Sequence, residues 1–506
     1  LALGGVAWYL TALGLAPTLA NGRASLDVDV NVKLAAEQLA FDLAVERATL
    51  DDNGELLAGV EALRINGATL GERGLSVRSL EIVRPEVLLG RETDGSLSAC
   101  GVRTVDVERA PTTAPITAPP ETATALPRIA VDALELVDAR LRWHDARVSP
   151  PLDATAVCAG SLSAAVLGPS TKPAQLRVRA TIERTLDELE ISGPLSLDPA
   201  KLTARLEIAA RGLHGGPLSV YLPANVTCEW NGAGASAQLD ARLGTCAAGG
   251  ADAAFGLAGI ELRQGDAVLA RVDKLALSAP RLDAAARVFE IGPISVRGVH
   301  ATAERHVDGS VHALGFALTP QAPDFVATEH DLGAAPSPAA RVRATSPAEL
   351  PTVTLAKLEL ELARFTWTDR MFGAEARPLE LAFTLSTPGP LTLLAPNAES
   401  PAPLVFAVRG SAQPLVDALE IDATLKPFSA DPELEIRLGA RGLNGAALTQ
   451  LAPSLAARID GRELDGGEFE ARLRARFELT RRSPIDVDFG AGIAGEIALE
   501  GLAFRA

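Results

Sequence analysis

Residues 126–145 read LPRIAVDALELVDARLRWHD, and residues 350–369 read LPTVTLAKLELELARFTWTD. Arg140 and Arg364, Trp143 and Trp367, and Asp145 and Asp369 are each separated by the same interval (367 − 143 = 224). Within the first stretch apolar residues recur at every second position: Ile129 and Val131, then Leu134 and Leu136, then Ala139, Leu141 and Trp143. The second stretch keeps those phases with Val353, Leu355, Leu358, Leu360, Ala363, Phe365 and Trp367. A period of 2 places alternate side chains on one face of a β-strand, and the 3.6 period of a helix is absent. The phase slips between Val131 and Leu134, and again between Leu136 and Ala139, which predicts a bulge or turn at matching places in both copies.

The duplication runs well beyond these stretches. LEISGPLSLDPAKLTARLEIAARGLHG from Leu189 returns as LEIDATLKPFSADPELEIRLGARGLNG from Leu419 (419 − 189 = 230). Upstream, LSVRSLEIVRPEVLLGRETDGSL from Leu75 pairs with ISVRGVHATAERHVDGSV from Ile294, with Asp94 and Asp308 in register (308 − 94 = 214). The drifting offset implies loop insertions, which a chain tolerates at little entropic cost. Residues 21–240 therefore read as one β-repeat unit with a Pro-, Ala- and Thr-rich linker at 110–127, and residues 241–470 as a second with its linker at 319–350. Residues 471–506 resemble the opening of a third unit, so the reading expects a longer parent chain.

Asn-Gly and Asp-Gly at 53–54, 66–67, 94–95 and 308–309 are hairpin signals, because both residues tolerate positive φ. GGPLSVYLP and NGAALTQLAP, at matching positions, are the places for short helices. The fold class is all-β: a long antiparallel sheet built from tandem repeats. Every strand has one apolar face, which a closed sandwich would bury and a single curling sheet would leave lining a groove.

Composition narrows the function. A formal net charge of −17 argues against nucleic acid, whose phosphates demand clustered Lys and Arg. The chain opens LALGGVAWYLTALGLAPTLA, uncharged before Arg23, which predicts part of a transmembrane or signal-anchor helix over residues 1–20, a cleavable signal peptide being the alternative. Cys100, Cys158, Cys228 and Cys246 form no C-x-x-C pair; Cys228 and Cys246 flank an expected hairpin and could bridge in an oxidising compartment.

Motifs with chemistry are few. His144-Asp145 suggests an acid–base dyad, but its counterpart in the second copy is Thr368-Asp369. His300, His306 and His312 lie near a turn that could bring two of them together, a pattern more common at a surface hairpin than at a metal centre. Residues 490–495 spell G-x-G-x-x-G, weak evidence by itself inside a β context. The reading therefore assigns no catalytic residue, metal or cofactor.

The element R-P-x-V-x-x-x-R-x-x-D-G-S-L (Arg84, Pro85, Val87, Arg91, Asp94, Gly95, Leu97) and the L-E-L-x-x-A-R-[LF]-x-W-x-D strand resemble recurring elements of AsmA-like bacterial envelope proteins. The similarity covers residues 40–500 and is nearest to the large branch catalogued by a domain of unknown function. It implies an inner-membrane helix, a strongly curved periplasmic β-sheet folded like a taco, and a hydrophobic groove that shelters or conducts phospholipid or another envelope lipid toward the outer membrane. It also implies a role in outer-membrane integrity and a periplasmic or outer-membrane partner at the far end. Groove-lining candidates are Val131, Leu134, Leu136, Leu141 and Trp143 in the first copy, and Leu355, Leu358, Leu360, Phe365 and Trp367 in the second. The alternative is a structural or adhesive β-repeat stalk without lipid cargo.

Overall fold

The computed structural model describes residues 14–35, 38–72, 74–105, 128–170, 172–320, 351–372, 377–394, 402–426, 433–451, 461–478 and 494–505. The chain is all-β, and among the described residues the helical turns are short, Gly216–Tyr221 and Gly445–Leu451 being the longest. Both fall where the two matching Gly-rich segments predict them. The chain packs as two compact units: residues 1–222 with 228–240, and residues 223–227 with 241–506.

In the first unit, strands Gly22–Ala35, Gln38–Asp52, Glu55–Gly71 and Gly74–Val83 follow one another as antiparallel neighbours. The motif strand Ile129–Asp145 then lies parallel to Gly74–Val83 and to Glu86–Arg91. Leu152–Leu167, Ala174–Ile182, Leu186–Asp198 and Lys201–His214 continue the sheet antiparallel. The second unit repeats this order. Ala251–Gln264, Ala267–Asp283 and Val288–Arg305 are antiparallel, Thr352–Asp369 runs parallel to Val288–Arg305, and antiparallel pairing resumes through Asp465–Glu478 and Ala494–Arg505.

The sheet is therefore mixed, which corrects the expected all-antiparallel pattern. Period-2 alternation encodes which face a residue occupies and is silent on strand direction. A parallel neighbour requires a connection of a dozen or more residues, and each motif strand is preceded by a Pro-rich linker of that length. The linkers themselves, 106–127 and 321–350, lie outside the described residues.

The turn signals divide into two kinds. Asn53 and Gly54, at φ 54° and 87°, make the two-residue turn of the hairpin Gln38–Asp52/Glu55–Gly71. Asp94 and Asp308 organise identical turns, each Oδ1 accepting from the backbone N–H and hydroxyl of Ser96 or Ser310 at 2.6–2.9 Å. Asn66-Gly67 differs from the hairpin expectation: it lies inside strand Glu55–Gly71 as a bulge, with Gly67 at φ 61° donating its N–H to Asp42 Oδ1 at 2.7 Å. A positive-φ glycine satisfies a bulge as well as a turn. The same 25-residue Asp-to-Gly spacing (67 − 42) recurs at Asp187/Gly212, Asp273/Gly298 and Asp417/Gly442, where each glycine has positive φ and the aspartate side chain lies close against it.

Two further expectations change. Leu15–Pro17, in the stretch expected to be helical, is a strand paired with Val102–Thr104, and Thr18 N–H donates to Gly101 O at 2.8 Å. The rest of that expected helix, residues 1–13, lies outside the described residues, among which no helix is long and apolar enough to cross a membrane. The chain from Cys228 to Cys246 holds the single strand Asn231–Thr245 rather than a hairpin, and both cysteines are free. A strand of that length separates its ends by about 45 Å, far beyond the roughly 7 Å a disulfide spans. Of the G-x-G-x-x-G segment, residues 490–493 lie outside the described residues, and Ala494 and Gly495 open the last strand.

Candidate functional site

Register turns the alternation of single strands into continuous apolar rows. In the first unit Val28 faces Val45, Val45 faces Leu63, and Leu63 faces Ile82. Ile82 lies beside Leu136, and the row proceeds through Gly160, Val178, Ile191 and Ile208. A second row runs Val30, Leu43, Ile65, Leu80, Leu134, Leu162 and Leu176. At about 4.8 Å per strand, the longer row covers roughly 40 Å of sheet.

The second unit builds the corresponding row. Leu257 faces Leu275, Leu275 faces Val296, and Val296 lies beside Leu360. Leu385, Val408, Ile421, Leu438 and Ala471 continue it. The two rows correspond through the offsets seen in the sequence: Ile82 and Val296 differ by 214, Leu136 and Leu360 by 224, and Ile191 and Ile421 by 230.

The residues between these positions point to the other face, and there the chain is polar. Arg64 pairs with Glu81 at 2.9 Å, Arg142 with Glu86 at 2.8 Å and Arg211 with Glu188 at 2.7 Å. In the second unit Arg297 pairs with Glu359 and Arg409 with Asp422, both at 2.7 Å. Hydrogen bonds from Lys357 and Arg297 outweigh the burial of Glu359 and bring its carboxyl down to about 2. Each exposed pair adds little stability. Together they give the sheet a charged, hydrated outer face.

The apolar face is only half covered. Among the described residues the enclosed large hydrophobics are few, Val45, Val77, Leu186, Leu355, Leu391, Leu404 and Val416, and the other members of the rows are partly exposed. A sandwich of two sheets would have enclosed the Leu, Ile and Val of both inner faces. Exposure is greatest on Gly22–Ala35, where Val28 and Leu34 stand 50% and 86% exposed.

Of the ten sequence-nominated residues, Leu134, Leu136 and Leu360 lie in the rows above. Val131 sits between Val77 and Ala165, Leu141 between Val87 and Ala156, and Trp143 between Leu89 and Ala154. Phe365 and Trp367 lie between Ala301 and Leu381 and between Ala303 and Leu379. Small neighbours beside each indole make room for it. Leu355 is enclosed, 4% exposed, in a cluster with Leu391 and Leu404 against which Leu358 packs.

Both motif strands end in a buried aspartate. Asp145 Oδ1 accepts the Arg147 N–H at 3.0 Å, Oδ2 accepts the Tyr221 hydroxyl at 2.9 Å, and Arg91 Nη1 lies 3.7 Å away. Burial pushes the Asp145 carboxyl up, but the Tyr221 hydroxyl, the backbone N–H groups and Arg91 together hold it below the ordinary carboxylate range. Asp369 repeats the arrangement with the Met371 N–H at 3.0 Å and Arg305 at 3.4 Å. These contacts anchor the strand ends. Tyr221, from the helical turn Gly216–Tyr221, carries no sequence signal for this role, because the second copy has no tyrosine there.

His144, exposed on the sheet, hydrogen-bonds Asp153 at 2.7 Å rather than forming a dyad with Asp145. His306 and His312 stack with ring centroids 4.0 Å apart; among the described residues no cluster of three His, Cys, Asp or Glu is arranged to hold a metal. No protein-family model matches the chain, and no curated protein or solved structure matches it.

Proposed function

We propose that the protein shelters or conducts lipid on its apolar sheet face, as a membrane-anchored periplasmic component that helps move lipid between the inner and outer membranes. The observation that carries the reading is the uninterrupted apolar row in each unit, partly exposed at every position but Val45, with a charged face behind it. An acyl chain of roughly 16 carbons costs on the order of 12 kcal/mol to hold in water, at about 0.8 kcal/mol per CH₂. A face of Leu, Ile and Val removes most of that cost without a nucleophile or an energy source. Curling of the sheet around this face into a groove would explain why its residues are half-buried without being enclosed. Each copy of the repeat then carries such a face.

Native mass spectrometry of the purified chain, with extraction and identification of lipid, tests the proposal. More than one phospholipid per chain is the expected result. A folded, monodisperse protein free of lipid would overturn it and favour a structural stalk. Leu136→Asp and Leu360→Asp sharpen the test, since a charge on the row should reduce bound lipid while the folded β-signal persists.

A further inference from the structure

At the end of the first unit's strands lies a cleft of about 820 Å³. Its apolar walls include Pro151, Leu152, Pro217 and Val220, and its charged and polar lining is Asp153, Arg184, Asp187 and His214 with Ser219. Leu186 and Leu213 face each other in the sheet immediately beside Asp187 and His214. The cleft therefore begins where the apolar surface stops.

Its charges are unevenly satisfied. Asp153 Oδ1 accepts from His144 Nδ1 at 2.7 Å, and Asp187 contacts His214 Nε2 at 3.2 Å. Arg184, held at φ 57° in the turn before Leu186, makes one long hydrogen bond to the Asp153 carbonyl at 3.3 Å. Among the described residues it has no carboxylate partner, unlike the ion-paired arginines of the polar face. The second copy retains the scaffold and loses the Arg and His: Asp187 corresponds to Asp417, whereas Arg184 and His214 correspond to Pro414 and Asn444 (414 − 184 = 444 − 214 = 230). Asn444 is used instead to accept the Ala447 N–H at 2.9 Å.

We propose that this cleft is a head-group site for a phosphodiester bearing an ammonium group, the chemistry of an aminophospholipid. Arg184 and His214 meet the phosphate, the planar guanidinium being suited to its oxygens. The carboxylates of Asp153 and Asp187 at the rim meet the ammonium, and the acyl chains leave over Leu152 toward the apolar rows. Those carboxylates disfavour a head group that is anionic overall. The site rests on the lipid reading above and adds a selectivity to it.

The test incubates the full chain with vesicles of equal phosphatidylethanolamine and phosphatidylglycerol, re-isolates the protein and quantifies both lipids. The protein should retain phosphatidylethanolamine in preference by about threefold or more, as a single charge-assisted contact provides. Asp153→Asn with Asp187→Asn removes the carboxylates that tell the ammonium head group from the anionic one, and should bring the ratio to near one with the circular dichroism spectrum unchanged. A wild-type ratio near one, or a preference that survives the double substitution, would overturn the head-group site and leave the groove standing. Absence of both lipids would overturn the groove, and the site with it.

Discussion

The two copies of the repeat agree in their strands and differ at their strand ends. Both align Arg, Trp and Asp along the motif strand, both set it parallel to the strand before it, and both turn at Asp-Gly-Ser. Yet Asp145 is closed over by Tyr221 and is inaccessible to solvent, whereas Asp369 is 8% exposed and lacks a tyrosine. The second copy instead encloses Leu355, where the first has the half-buried Val131. Duplication has preserved what makes the sheet and released what lies at its rim. The rim is therefore where specificity belongs, and the face is where generic burial belongs.

This contrast can be broken most directly at Leu355. Leu355→Ala removes an enclosed side chain packed on Leu391 and Leu404, and should cost about 3 kcal/mol. Val131→Ala, at the half-buried counterpart in the first copy, should cost about 1 kcal/mol. Urea unfolding of the two variants decides it. Equal losses would mean that the first copy hides a core like that of the second.

Devices common to both copies should behave alike. Gly212 and Gly442 hold φ 67° and 69° opposite Asp187 and Asp417, and a Cβ at either would stand 2.0–2.1 Å from a carboxylate oxygen. Gly212→Ala and Gly442→Ala should each destabilise by about 2 kcal/mol, through strain and displacement of the aspartate. A large loss at one position alone would show that the repeat is not equivalent there.

Much of this was legible in the sequence, for reasons the residues make plain. Period-2 alternation from Ile129 to Trp143 fixes both the strand and its apolar face, so Leu134, Leu136 and Leu360 could be nominated before any coordinates. The slip between Leu136 and Ala139 is a bulge, with Asp138 at φ 48°. The partners in each row, such as Val45, Ile82 and Ile191, also alternate in sequence, but choosing them needs the register, which tertiary pairing sets. Direction was illegible, because a strand's side-chain pattern is the same whichever way its neighbour runs. Arg184 and His214 were illegible because neither motif nor repeat marks them. What sets them apart is their loss in the second copy, and that difference gains meaning only beside a cleft.

At the first copy's rim, Tyr221→Phe deletes the hydroxyl that donates to the enclosed Asp145 carboxylate at 2.9 Å. The expected cost is about 1.5 kcal/mol, that of a hydrogen bond to a charged group left unmade in a buried setting. The carboxyl of Asp145 should also titrate closer to the ordinary range, because one of the contacts lowering it is gone. Thermal unfolding measures the first effect and carbon-detected titration of the aspartates the second. An unchanged melting temperature would reduce Tyr221 to a bystander and make the two strand ends equivalent after all.

The smallest effect belongs to the polar face. Glu359, between Lys357 and Arg297, has its carboxyl lowered to about 2, against about 4.3 for an unfolded chain. A depressed carboxyl stabilises the fold above its unfolded pKa, and that contribution fades as pH falls from about 4.3 toward 2. Glu359→Gln should therefore lower the melting temperature slightly at pH 7 and progressively less as the pH is taken down through 4 to 2.5. In the first copy Glu135 stands at the corresponding position (359 − 135 = 224) without an ion pair among the described residues. Glu135→Gln should then leave the melting temperature at pH 7 unchanged. A loss of equal size at both positions would place the stabilisation in the field of the whole charged face, and would remove the Lys357–Glu359–Arg297 contact as its source.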